Sequence, residues 1–122
     1  MNKFTFKMKD RMKLVVERPA TNSCTVTVSG KTDTTFRFSK KRAAELVDSL
    51  KWSSIGIDSS FSFKKTLKAP SGRISLQECV YKKGFYELSV EEKGVLIFCE
   101  GSLSKKWVKK LINTMKEVYG VE

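Results

Sequence analysis

The sequence predicts an α+β protein in which two β-β-β-β-α repeats form one domain of 122 residues. The main observation is that residues 39–50 and 104–115 both begin with Ser-Lys-Lys and both place Leu at the eighth position. Two further matches precede them in the same chain order: residues 24–28 with 86–90, and residues 4–7 with 61–64. This order indicates an internal duplication.

The repeats divide the chain into residues 1–52, a linker at 53–60 and residues 61–122. A chain of this length with 40% hydrophobic residues can bury a modest core of its own. It contains no apolar run of the roughly 20 residues that a membrane span needs, and its first residues do not resemble a secretory signal.

Alternating apolar and polar residues predict the strands of the first repeat. Between residues 3 and 8, Phe4, Phe6 and Met8 share one face while Lys3 and Lys7 lie on the other, which is typical of a half-buried strand. The four strands predicted here are residues 3–8, 12–17, 24–29 and 34–38. Turns are expected at 10–11 and 30–33.

A helix should follow each set of strands. Ser39 is a candidate N-cap for the first helix, and Ala43, Leu46, Val47 and Leu50 form its apolar stripe. The first helix is expected to end near residues 51–52. In the second repeat, the predicted strands are residues 61–64, 73–80, 85–90 and 95–99, with a turn at 91–94. Ser102 or Ser104 should cap the second helix, whose apolar stripe is expected to begin at Leu103.

We expect the two repeats to pack sheet against sheet, with the helices covering one end. The predicted core consists of Phe4, Phe6, Phe36, Phe38, Leu46, Leu50, Phe61, Phe63, Trp107, Leu111 and Met115. The three cysteines, Cys24, Cys79 and Cys99, are interpreted as buried thiols of a protein from a reducing cytoplasm.

The charge of the chain favours an anionic partner. Its 24 Lys and Arg residues against 13 Asp and Glu residues give a net charge of +11. Because so large an excess of positive charge destabilises a small domain through self-repulsion, it indicates an anionic partner: first nucleic acid, and second an anionic membrane. Solubility alone is the simpler explanation.

Catalytic chemistry is not indicated by the sequence. There is no histidine to act as a general base near neutral pH. The adjacent carboxylates Glu91 and Glu92 fall in a predicted turn, where solvation is the ordinary state. We therefore predict no catalytic residue, no metal site and no cofactor.

Basic residues at outward strand positions form the candidate binding site, together with aromatics near solvent. Single strands bind to grooves in which cations follow the phosphates and flat side chains stack on the bases. The predicted nucleic-acid-binding residues are Lys3, Lys7, Lys13, Arg37, Lys64, Arg73, Tyr81 and Phe85. Trp52 is a further aromatic at a helix end. A one-residue shift in register would move Phe85 into the core.

The repeated layout of four strands and a helix in a basic chain resembles the Whirly-type single-stranded DNA binders. This group includes the plant Whirly proteins, the Pur-alpha family, which pairs two repeats in one chain, and the positive-cofactor transcription coactivators. The resemblance covers the whole chain in architecture. It includes no diagnostic motif, so no family residue is carried over.

Two functions are consistent with these observations. The favoured hypothesis is sequence-tolerant binding of single-stranded DNA or RNA; the resemblance implies DNA, whereas the residues do not separate the two. The alternative is a small basic module, an inhibitor or adaptor, that docks on an acidic protein. Binding of duplex DNA and formation of a homodimer also stay open. No membrane partner is expected, and a cytoplasmic, nucleoid or nuclear location follows from the favoured hypothesis.

Overall fold

Each half of the chain forms four strands and then a helix, as the sequence predicts. The computed structural model describes residues 1–122. The first repeat contains β1 (Lys3–Lys7), β2 (Lys13–Ala20), β3 (Ser23–Ser29), β4 (Thr34–Phe38) and α1 (Lys40–Ser54). The second contains β5 (Ser60–Phe63), β6 (Gly72–Glu78), β7 (Phe85–Glu92), β8 (Val95–Ser104) and α2 (Lys105–Tyr119).

The strands form two separate antiparallel sheets. The N-terminal sheet has the order β1-β2-β3-β4 and the C-terminal sheet has the order β5-β6-β7-β8. In both, every strand pairs with its neighbour in sequence. One face of each sheet is apolar and packs on the helices; the opposite face is called its outer face below.

Serine hydroxyls begin both helices, as expected. The Oγ atoms of Ser39 and Ser104 accept hydrogen bonds from the backbone N–H groups of Arg42 and Trp107, at 3.2 and 3.1 Å. The first helix continues to Ser54, two residues past its predicted end, so the linker between the repeats is shorter than expected. Leu103 lies in β8 and not in the second helix, because the strand extends as far as Ser104.

The expected packing of sheet against sheet is wrong, because the helices lie between the sheets. The first helix packs mainly on β5 and β6, and the second packs on β1 and β2 as well as on the first helix. Only Ser39 separates β4 from α1, and no residue separates β8 from α2. With no loop to reverse direction, each helix continues across to the sheet of the other repeat.

Aromatic side chains join the two repeats where β4 meets β5. The ring of Phe36 stacks on that of Phe63, with centroids 4.4 Å apart, and Phe38 contacts Phe61, Phe63 and Tyr119. The hydroxyl of Tyr119 donates to the Thr25 carbonyl at 2.8 Å. Complete burial raises the pKa of the Tyr119 phenol well above its ordinary value, so the hydroxyl stays protonated and keeps this bond.

Most of the predicted core is buried. The exceptions are Phe4, Phe38 and Trp107, which are half-buried and pack against the edge of the core.

The cysteine prediction holds only for Cys24, whose pKa is raised by burial. Cys79 is half-buried and Cys99 is exposed, because the alternation of β8 directs Cys99 to the outer face, opposite Ser89.

The turn between β7 and β8 is shorter than predicted. Glu91 and Glu92 pair with β8 as the last residues of β7, and the turn consists of Lys93 and Gly94, with φ of 51° and 82°. Two residues with positive φ form the tight type of hairpin turn, for which glycine is suited.

Neither helix combines the length and the apolar composition needed to cross a membrane.

Candidate functional site

The outer face of the N-terminal sheet carries four of the predicted cations. Lys7 on β1 lies directly opposite Lys13 on β2, and Lys3 lies opposite Glu17. Arg37 extends the row that contains Lys3, through Thr25 of β3. All four basic side chains are exposed, and none forms an ion pair with a carboxylate. All four occupy outward strand positions, as the alternation predicts.

The pair formed by Lys7 and Lys13 is held by the hairpin that it closes. The Met8 N–H donates to the Met12 carbonyl at 2.8 Å, and the Lys9 N–H donates to Oε1 of Glu100 at 2.7 Å. Like charges directly opposite each other on a sheet destabilise it. The hairpin therefore fixes two exposed lysines at directly opposite positions, at a cost in stability that a bound anion would offset.

Hydroxyl groups occupy the middle of the same face. Thr5, Thr27 and Thr35 form one row across the sheet, completed by Val15. The Oγ1 atoms of Thr27 and Thr35 are 2.9 Å apart and hydrogen-bonded. No aromatic side chain belongs to this face, so it offers charge and hydrogen bonds but no stacking surface.

The C-terminal sheet differs from the N-terminal sheet in its charge. Arg73 of β6 lies on its outer face, as predicted, but Glu91 of β7 neutralises it. The Nε and Nη2 atoms of Arg73 lie 2.8 and 2.5 Å from Oε2 of Glu91. The pKa of the Cys99 thiol is raised by local desolvation and by the charge and hydrogen bond of Glu87, which also belongs to this face. Arg73 is thus already paired, unlike the cations of the N-terminal sheet.

The predicted aromatics belong to the second repeat, as does Arg73. Tyr81 is fully exposed in the loop between β6 and β7. Phe85 is half-buried at the start of β7, with the Lys82 ammonium 4.2 Å above its ring centroid. The next residue, Tyr86, is buried. The register of β7 therefore keeps Phe85 out of the core. Lys64 is exposed just beyond the end of β5.

The eight predicted residues therefore fall into two groups. Lys3, Lys7, Lys13 and Arg37 lie on one face of the N-terminal sheet, whereas Arg73 and Phe85 belong to the other sheet, Tyr81 to its β6–β7 loop and Lys64 to the end of its edge strand. The stacking and phosphate-binding groups do not share one face. A ligand that used all of them would have to extend over both sheets.

The basic residues of the second helix are not among the predicted binding residues. Lys105, Lys106, Lys109 and Lys110 are exposed on α2, and none forms an ion pair. Of the 24 basic side chains in the protein, only Arg42 and Arg73 form ion pairs with carboxylates. A position-by-position comparison of the two helices would have revealed the α2 cluster, because the first helix carries acidic residues where the second does not.

Lys116 of this helix has a lowered pKa. The causes are a hydrogen bond with the side chain of Lys51 on α1 and the positive charge of that residue. The side chains of Lys51 and Lys116 therefore lie close to each other at the crossing of the two helices. Near this crossing, Trp52, Ile55 and Ile57 expose apolar surface; Trp52 is 52% exposed. The prediction that Trp52 lies near solvent is confirmed.

The chain matches no protein-family model, and no curated protein resembles it in sequence.

Proposed function

We propose that this protein binds single-stranded nucleic acid, and DNA in preference to RNA, through the outer face of its N-terminal sheet. The observation that carries the proposal is the set of four exposed cations on that face: Lys7 lies opposite Lys13, and Glu17, which lies in the row between Lys3 and Arg37, forms an ion pair with neither. Phosphate groups are the ligands that such a cluster attracts. The preference for DNA rests on the architecture-level resemblance to Whirly-type proteins.

The polar centre of the face favours single strands over duplex. Threonine hydroxyls both donate and accept hydrogen bonds, so the row of Thr5, Thr27 and Thr35 suits the edges of unpaired bases. A duplex turns these edges toward its own complementary strand. Contacts of this kind tolerate many sequences, since a hydroxyl adapts to either a donor or an acceptor.

A second candidate function is docking on an acidic protein. The exposed apolar residues Trp52, Ile55 and Ile57 favour it, because aromatic and apolar side chains are enriched at protein interfaces. Such a module would bind nucleic acid weakly and with little preference between single strands and duplex.

A salt-resolved titration tests the proposed function. We expect single-stranded DNA to bind more tightly than RNA of the same length, and both to bind more tightly than duplex. The logarithm of the association constant should fall linearly with the logarithm of salt concentration, by about 0.7 per contacted phosphate. Fluorescence anisotropy with labelled strands at several salt concentrations measures both quantities. Duplex bound as tightly as single strands at physiological salt would contradict the proposal.

Replacing Tyr81 by Ala tests the second group of residues. If a long strand reaches this loop, the variant should lose about 1–3 kcal/mol of binding free energy while its salt slope stays nearly unchanged, because stacking releases no counterions. Phe85→Ala should lose less, since Lys82 already covers one face of the ring. The control is Val80→Ala, which removes an exposed side chain of the same loop without a stacking surface. If the Tyr81 and Val80 variants bound DNA with equal affinity, this loop would not be part of the interface.

A further inference from the structure

The two helices occupy equivalent places in the two repeats. Each is 15 residues long, and each begins directly after a capping serine, Ser39 or Ser104. With the two serines aligned, the exposed and buried positions of the helices coincide almost throughout. Leu46 and Leu111, for example, are both fully buried. Where the two helices differ at exposed positions, the side chains therefore differ in charge and not in the direction that they face.

The exposed positions differ in charge. Glu45 of the first helix corresponds to Lys110 of the second, and Asp48 corresponds to Asn113. On α1, Arg42 forms an ion pair with Glu45 and donates a hydrogen bond to the Ser62 carbonyl at 2.6 Å. On α2, no acidic residue occurs before Glu117. We call its four exposed basic residues the α2 lysine face: Lys105, Lys106, Lys109 and Lys110.

The α2 lysine face is unfavourable for the helix in isolation. Lys105 and Lys106 lie in the first turn, where the positive end of the helix dipole disfavours cations. Lys106 and Lys110 are four residues apart, a spacing at which like charges repel. A polyanion bound at this face would relieve both effects.

This face lies beside the edge of the N-terminal sheet. Lys110 Nζ is 5.3 Å from the ring centroid of Phe4, and the ring centroids of Trp107 and Phe6 are 5.4 Å apart. Phe4 and Phe6 belong to β1, which is an edge strand because it pairs only with β2. Lys3 and Lys7 of the same strand point to the opposite, outer face. One strand therefore separates the α2 lysine face from Lys3 and Lys7, whereas Lys13 and Arg37 lie farther across the sheet, on β2 and β4.

We propose that the α2 lysine face is a second binding surface for the phosphates of a single strand, which passes around the edge of β1 from the outer face of the N-terminal sheet. This inference rests on the proposed function and extends it to a longer binding path. The path is asymmetric: the equivalent edge at β5 is excluded because Glu45 and Asp48 offset the basic residues of α1 there. The half-buried rings of Phe4 and Trp107 line the path at the edge.

The test compares two variants with equal loss of charge. Lys106→Gln with Lys110→Gln removes two cations from the α2 lysine face, and Lys40→Gln with Lys41→Gln removes two exposed cations from the equivalent end of α1. None of the four side chains belongs to the core, so both variants should fold. Charges farther away than about 10 Å are screened at 0.1 M salt, so a change in net charge alone should have little effect.

Binding is measured with DNA of about 15 and about 5 nucleotides, lengths within the usual range for single-strand sites. With the longer strand, the α2 variant should lower the salt slope by about 1.4 and the affinity by roughly 25-fold at 0.1 M salt, since each lost contact removes about 0.7 from the slope. The α1 variant should change the affinity by less than about twofold on the same screening argument. With the short strand, which fits on the sheet alone, both variants should bind like the wild type.

Two results would overturn this inference while leaving the proposed function intact. Equal losses in the α1 and α2 variants would show that only net charge matters. Equal losses of the α2 variant with short and long strands would exclude a path that starts on the sheet and ends on the helix. Failure of the proposed function is distinguishable, because the wild-type protein would then show no preference for single strands over duplex.

Discussion

Replacing Phe36 by Ala is expected to lower the free energy of unfolding by about 3–5 kcal/mol, the usual cost of removing a fully buried aromatic ring. Phe36 is completely buried on β4, where its ring stacks on Phe63 of the other repeat. It also lies against the backbone of Gly72, where a Cβ atom would come within 2.3 Å of the ring. The substitution would therefore leave a cavity at the junction of the two sheets, which the fixed backbone of β6 cannot fill.

Denaturant unfolding followed by circular dichroism measures this effect. A small domain has a total stability of about 5–15 kcal/mol, so the expected loss is a large share of it. Leu67→Ala is the control, because Leu67 is fully exposed and its removal should leave the midpoint unchanged. If Phe36→Ala unfolded at the same midpoint as the Leu67 variant, the ring would not join the repeats.

The order of the elements could be predicted because both periodicities are strong in this chain. Strict alternation in β1 separates Phe4 and Phe6 from Lys3 and Lys7, and the capping serines mark where each helix begins. Such patterns show which face of an element is buried but not what buries it. The packing of each helix on the other repeat's sheet depends on the short connection at Ser39, which a periodicity does not reveal.

For the candidate site, alternation likewise shows which side chains point outward but not which residues lie beside them. Alternation placed Lys7 and Lys13 at outward strand positions, and the register of β1 and β2 sets them opposite each other on one face. The neutralisation of Arg73 depends on Glu91, 18 residues away on the next strand, so no local pattern contained it. The separation of Tyr81 from the main cation cluster likewise depends on the division of the strands into two sheets.

Neutralising the outer face of the N-terminal sheet should have the largest effect on binding. The variant combines Lys3→Gln, Lys7→Gln, Lys13→Gln and Arg37→Gln. If each side chain contacts one phosphate, the salt slope should fall by about 2.8, which corresponds to a loss of affinity of roughly 600-fold at 0.1 M salt. Unfolding should occur at an unchanged or higher denaturant concentration, because the repulsion between Lys7 and Lys13 is removed.

The matched control removes four exposed lysines elsewhere: Lys65, Lys68, Lys83 and Lys93. All four lie in loops or turns of the second repeat, so their loss lowers the net charge equally without touching the candidate face. We expect the control to retain most of the affinity and of the salt slope. The same titration decides between a local phosphate site and a diffuse attraction, because a diffuse attraction would weaken both variants alike. Equal losses in the two variants would therefore disprove binding at the N-terminal sheet, even if single strands were still preferred over duplex.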